Sequence, residues 1–238
     1  FIIDPFYTLP LIVSLVWLAF CRSKKLRNKR GRLLKWGIGL STGYVLFSVG
    51  MKFIASAGFE ADLARRGVKY ERRMEAPTAF NTLLWRSAVD RGDEIWIGYR
   101  SVFELPSAPV RWTIYPRQEQ ALAPFADERE IKTLTWFSRG WWIARPHAKG
   151  VWLADMRFGE TRTHGAKPGM VDSRFMFAWS FHPGATGDRL RRPSLEADPK
   201  EALSRIGSRI IGDTAQWEAN PRLSGVPGTL PEWLPVVE

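Results

Sequence analysis

Three histidines, one cysteine and a few isolated carboxylates are the side chains of this sequence best suited to catalysis or metal binding. His147, His164 and His182 could converge with Asp155 or Asp172 on a metal. None of the three lies in an H-x-H or H-E-x-x-H arrangement, the spacings that put two ligands on one side of an element. Asp155 and Glu160 could divide acid and base work between two carboxylates, although solvated charge is the simpler reading. The polar clusters GETRTHG and DMRFGE carry no catalytic spacing. No G-x-S-x-G elbow, no P-loop and no G-x-G-x-x-G is read. Cys21 is alone, so an intrachain disulfide and a zinc ribbon are excluded. Asp4 stands apart. It is the one acid among residues 1–54 and directly precedes Pro5 at the head of an apolar run. An acid at or in a bilayer pairs, binds an ion or does chemistry. An Asp followed by Pro is also a good helix start. Both readings stand.

Asp4 is positioned by its surroundings. Residues 5–20 are apolar apart from hydroxyls, and residues 36–51 (WGIGLSTGYVLFSVGM) form a second such run. Each is at the short end for crossing about 30 Å of hydrocarbon at about 1.5 Å per residue, and flanking Ile2, Ile3, Leu33 and Leu34 extend them. Between the runs, residues 21–35 hold eight Lys or Arg. A pair of buried core helices would not need that charge, whereas a pair of spans joined on the cytoplasmic side would. A signal peptide puts its charges before its apolar stretch, which is the reverse order. The expected topology is two transmembrane helices over residues 1–54, a basic cytoplasmic loop at 21–35, and residues 55–238 outside the cytoplasm. Trp17 and Trp36 flank the loop as an interfacial belt would, and Lys52 snorkels at the outer end. Gly39-x-x-x-Gly43, with Gly37 and Gly50, offers a close-packing helix face. With no initiating methionine, the chain is expected to be the later part of a longer multi-pass protein.

The remainder reads as α+β, an antiparallel sheet with one or two helices against it. GVKYERRMEAP is a strand. LLWRSAV and EIWIGYRSVF form a hairpin across DRGD. In PVRWTIYP, Val110, Trp112 and Ile114 alternate with Arg111, Thr113 and Tyr115, the pattern of a half-buried strand. Asp127 and Glu130 have capping-box spacing ahead of a helix whose apolar face is Ile131, Leu134 and Phe137 and whose stop is Gly140. WWIARP and VWLADMRF pair across HAKG, and RFMFAWSFH sets Phe175, Phe177, Trp179 and Phe181 on one face. Residues 183–199 read as loop. A last helix starts with Asp198 as cap, Pro199 at its first position and Glu201 at its third. It carries Leu203, Ile206 and Ile210 and ends at Gly212. The tail to Glu238, with its prolines, reads as a wrapping extension.

The formal net charge of +11 suggests a nucleic-acid binder until it is located. Residues 1–54 carry +8 and residues 55–238 only +3. A DNA-binding face would instead lie on the folded domain, so nucleic acid is not an expected partner. Twelve tryptophans suit a β-rich domain, a membrane interface or both.

The strings FIIDPFYTLP, APTAFNTLLWR, GYRS, WFSRG and DMRFG, in this order, resemble the later part of the bacterial inner-membrane metal-dependent hydrolases, the membrane-bound proteins described as LexA-regulated. The resemblance covers nearly the whole chain. It implies a divalent metal ion, with Asp4 as a candidate ligand for histidines supplied upstream, since a carboxylate beside imidazoles suits a hard or borderline cation. Tyr7 and Thr8 belong to the same string. Asn81 and Arg86, with Trp85, and Asp155 with Arg157 match the exterior strings as candidate polar-site residues of undefined role. The implied activity is attack of metal-activated water on an ester, phosphoester or amide, with a lipid or envelope substrate at the inner-membrane surface. The alternative is a non-catalytic, membrane-anchored extracytoplasmic binding or structural module.

Overall fold

The computed structural model describes residues 4–20, 27–147, 150–159, 175–192 and 199–213. Two helices come first. α1 spans Pro5–Phe20 and α2 spans Arg27–Arg65. They run antiparallel and in contact, and their outward surfaces are apolar and open, with Phe6, Val13, Leu15, Trp17, Trp36, Leu40, Leu46 and Phe53 among the exposed side chains. α2 is the one helix among the described residues long and apolar enough to cross a bilayer. α1, at 16 residues, is shorter.

α2 departs from expectation at both ends. It begins at Arg27, so residues 27–35 of the expected loop are helical. It also runs past the expected boundary at position 54 to Arg65. Packing explains the extension. Ala55, Phe59 and Leu63 recur every four residues and bury one stripe against the first sheet. Gly39 and Gly43 face open space, so the close-packing motif is not the α1–α2 contact. Gly37 makes that contact: a Cβ there would lie 2.1 Å from Ser14 Oγ.

The folded part is α+β with two antiparallel sheets rather than one. β1 (Arg72–Pro77), β2 (Leu84–Asp90), β3 (Glu94–Ser101) and β4 (Trp112–Pro116) form the first in sequential order. β5 (Trp142–His147), β6 (Gly150–Asp155), β7 (Ala178–Phe181) and β8 (Leu190–Arg191) form the second. β8 lies within the stretch read as loop. α3 (Arg129–Ser138) follows the first sheet and α4 (Pro199–Ile210) follows the second.

The layers are set by strand alternation. Trp85, Val89, Trp96 and Trp112 point to α2. Leu84, Ala88, Ile97 and Tyr115 point the other way, to Ile143, Trp152 and Ala154 of the second sheet and to Phe175, which precedes β7. The far face of that sheet, with Trp142, Ala144, Leu153 and Phe181, packs on Ile131 and Leu134 of α3. The order is therefore α2, sheet, sheet, α3. β4 lies between two covered faces, which is why Thr113 and Tyr115 are buried as deeply as Trp112 and the strand is not half-buried.

Local expectations were met in part. The β2–β3 hairpin turns at Gly92, which has φ 91°, and Asp90 Oδ1 accepts the Gly92 N–H at 3.0 Å. β5 and β6 pair as read. The capping box of α3 does not form. Glu128 is the N-cap without a side-chain bond, and Asp127 accepts from Lys132 Nζ instead. Phe137 leaves the buried stripe to stack on Phe158, and Leu203 of α4 is exposed while Ile206 and Ile210 pack inward. The aromatic run does not share one face. Phe175 precedes β7 and joins the core between the sheets, whereas Trp179 and Phe181 face α3. Asp198 and the tail from residue 214 lie outside the described residues.

Candidate functional site

Asp4 is the N-cap of α1. Its Oδ1 accepts the Phe6 N–H at 3.0 Å, and its carbonyl accepts the Thr8 N–H at 3.0 Å and the Thr8 hydroxyl at 2.9 Å. These bonds satisfy donors that open every helix. The carboxylate has a second partner from the other helix: the Tyr44 hydroxyl donates to Oδ2 at 2.6 Å, and the Tyr44 ring stacks on Phe6. Capping and a cross-helix contact thus coexist at one buried carboxylate.

A polar line continues along α2. Ser41 Oγ donates to the Tyr7 carbonyl at 2.8 Å, and Ser48 Oγ bonds Thr82 Oγ1 at 2.7 Å. Ser41, Tyr44 and Ser48 are three and four residues apart, so they share one helical face. Asp4, Tyr7 and Thr8 meet that face from α1, and Thr82 meets it from the β1–β2 loop. Sequence reasoning missed Ser41, Tyr44, Ser48 and Thr82. The spacing of hydroxyls inside WGIGLSTGYVLFSVGM was the available signal. The letters G-x-S-x-G do occur there, at Gly39–Gly43, but inside α2 rather than on a strand-to-helix turn, and Ser41 spends its proton on a carbonyl.

Asn81 lies next to this line and organises the β1–β2 loop. Its amide nitrogen donates to Thr78 Oγ1 at 2.7 Å and to the Ala79 carbonyl at 3.0 Å, and its oxygen accepts the N–H groups of Leu83 and Leu84 at 2.9 and 2.8 Å. The remaining sequence-identified residues lie elsewhere. Arg86 points between the two sheets and donates to the Met156 carbonyl at 2.9 Å. Asp155 and Arg157 form a two-bonded ion pair on the α3 side, with the guanidinium over Phe137 and Phe158. Asp155 is thereby committed to Arg157. His147 and His182 meet edge to face at 5.8 Å between ring centroids, and burial followed by nearby Arg191 lowers the His182 pKa. His164, Glu160 and Asp172 lie outside the described residues. Arg145, also between the sheets, donates to the Pro116 carbonyl, and burial pushes its pKa down to about 10.

The chemistry within reach at Asp4 is that of one carboxylate among hydroxyls. Both of its oxygens already accept a hydrogen bond. Among the described residues no three His, Cys, Asp or Glu side chains come together. This donor set does not by itself fit a divalent metal, because Asp4 brings one ligand group where a protein site takes three or more.

No protein-family model, curated protein or solved structure matches this chain.

Proposed function

We propose that this chain is a membrane-anchored module. The antiparallel helix pair crosses a bilayer, the basic stretch between the helices stays in the cytoplasm, and the two-sheet domain is held on the opposite side by the second helix. The observation that carries this reading is α2 itself. Its first part exposes apolar side chains around the surface not covered by α1, and its last part, from Ala55 to Leu63, is core of the first sheet. An open apolar surface of that extent marks a lipid or protein contact. The neighbouring positive charge favours the orientation given.

Cys21, the one native cysteine, reports on the basic stretch, and a Trp136→Cys variant reports on the domain. In sealed right-side-out membrane vesicles, an impermeant maleimide is expected to label position 136 and to spare Cys21. The inverse pattern overturns the orientation. Release of the protein by alkaline carbonate overturns the anchoring.

A second reading is the metal-dependent hydrolase implied by the family resemblance, acting on a lipid or envelope substrate. It is favoured by one observation: a buried carboxylate at the end of α1 is held against a phenol from α2. In this reading Asp4 and Tyr44 order the membrane-surface end of the site. Asp4→Asn retains an oxygen acceptor but loses the charge. A large fall in ester or phosphoester turnover with an unchanged melting temperature supports the reading. Unchanged turnover removes Asp4 from the site.

A further inference from the structure

The β1–β2 loop combines three features that the anchoring reading leaves unused. First, Phe80 has φ 60°, a left-handed conformation costly for a bulky L-residue. Second, the same phenylalanine is 46% exposed, so its ring is not repaid by burial in the core. Third, the stretch from Ala76 to Trp85 has no charged residue, in a chain where 25% of residues are charged. The four bonds of Asn81 enforce the conformation, and the Ser48–Thr82 bond fixes the loop's height on α2. That height is decisive. Ser48 lies one helical turn before Lys52, the first charged side chain beyond the apolar run. Phe47, Val49 and Phe53, at the same height, are also open.

We infer that the Thr78–Leu83 loop is a lipid-contact loop, in which Phe80 enters the interfacial layer of the bilayer alongside α2 and seats the two-sheet domain on the membrane. The inference rests on the membrane-anchored reading and adds a second point of lipid contact outside the helices. Its occupant is the lipid surface. A neutral loop with an aromatic tip suits the interface, where aromatic rings are enriched and charge is absent from the apolar side. Open apolar side chains of α2 flanking Ser48, to which the loop is bonded, argue against an isolated surface patch.

The test uses the full chain with Cys21→Ser, carrying one environment-sensitive fluorophore at Phe80→Cys, Leu46→Cys or Trp136→Cys. Each protein is reconstituted in phosphatidylethanolamine–phosphatidylglycerol liposomes. Quenching is read with nitroxide lipids labelled near the headgroup or in mid-chain, and with aqueous iodide. Position 46, about 3 Å deeper than Ser48 along the helix, is expected to be quenched by the lipid nitroxides and not by iodide, position 80 from near the headgroup, and position 136 by iodide alone. Ala79→Cys repeats the loop measurement with Phe80 intact and should follow position 80. Lipid quenching at 46 with iodide quenching at 79 and 80 overturns the inference and leaves the anchoring reading standing. Protection of 79 and 80 from both quenchers assigns the loop to a protein surface and also overturns it. No lipid quenching at 46 overturns the anchoring reading, and the loop inference falls with it.

Discussion

Asp62 fastens α2 to the first sheet. Its carboxylate is buried and accepts from Trp112 Nε1 at 2.9 Å, Arg66 Nε at 2.8 Å and Arg65 Nη2 at 3.0 Å. Burial alone would raise its pKa, but the Trp112 and Arg66 bonds outweigh burial and hold it below the ordinary 3.8. A carboxyl whose folded pKa is depressed stabilises the fold above its unfolded value and loses that contribution as pH falls through the folded value. Thermal unfolding is therefore expected to show a loss of stability below pH 3.8 that is missing in Asp62→Asn. At neutral pH that variant should lose roughly 1–3 kcal/mol, at the lower end because the two arginines are partly exposed. Phe80 gives the opposite sign. Phe80→Gly removes the left-handed penalty and is expected to raise the stability of the detergent-solubilised chain by about 1 kcal/mol in equilibrium unfolding. Neither residue is conspicuous in the sequence. The Asp62 partners are 50 positions apart at Trp112, and a left-handed phenylalanine follows no local pattern. Asp4 was legible as the one acid at the head of an apolar run and Asn81 only through the family resemblance, but their roles, a cap shared with Tyr44 and a loop clamp, depend on neighbours that only the fold supplies.

At the level of elements, hydrophobic period was a good guide where one face is open and a poor one where both are covered. Ile131 and Leu134 read correctly as the buried face of α3 because its opposite face, with Trp136, meets water. The alternation in β4 suggested one solvent face, yet a second sheet covers that face, and Thr113 and Tyr115 are buried. No local rule says that a second sheet exists, since it follows from the need to cover Ile97 and Tyr115 of one sheet and Ile143 and Trp152 of the other. The glycines of α2 make the same point. Gly39 and Gly43 carry the recognisable spacing but open space, whereas Gly37 carries the contact with Ser14. Gly37→Val is accordingly expected to part α1 from α2, seen as a large loss of disulfide crosslinking between cysteines placed at Tyr7 and Ser41. Gly39→Val and Gly43→Val should leave crosslinking unchanged. Equal losses in all three variants would contradict the α1–α2 register.

For the whole molecule, α2 has two parts, one with its apolar surface left open and one buried as core of the first sheet. Removing its last four turns takes Ala55, Phe59 and Leu63 from the core. Large side chains such as Phe59 and Leu63 each contribute roughly 2–5 kcal/mol, a sum comparable with the total stability of a domain. A piece beginning at Arg66 is therefore expected to remain unfolded by circular dichroism, while one beginning at Gly50 folds cooperatively. Folding of both would show that the helix is an attachment and not a wall of the core. The expected boundary at 54 was drawn where apolarity ends, but the helix does not end there, because its periodic residues find the sheet. One mechanical consequence follows from this continuity. Thirty-nine residues of uninterrupted helix make a rod about 58 Å long. A helix leans more steeply when the hydrocarbon around it thins. A lean of about ten degrees would carry the far end of such a rod sideways by roughly 10 Å. The sheets are welded to that far end, so in the membrane-anchored reading local thickness of the bilayer becomes the posture of the domain above it.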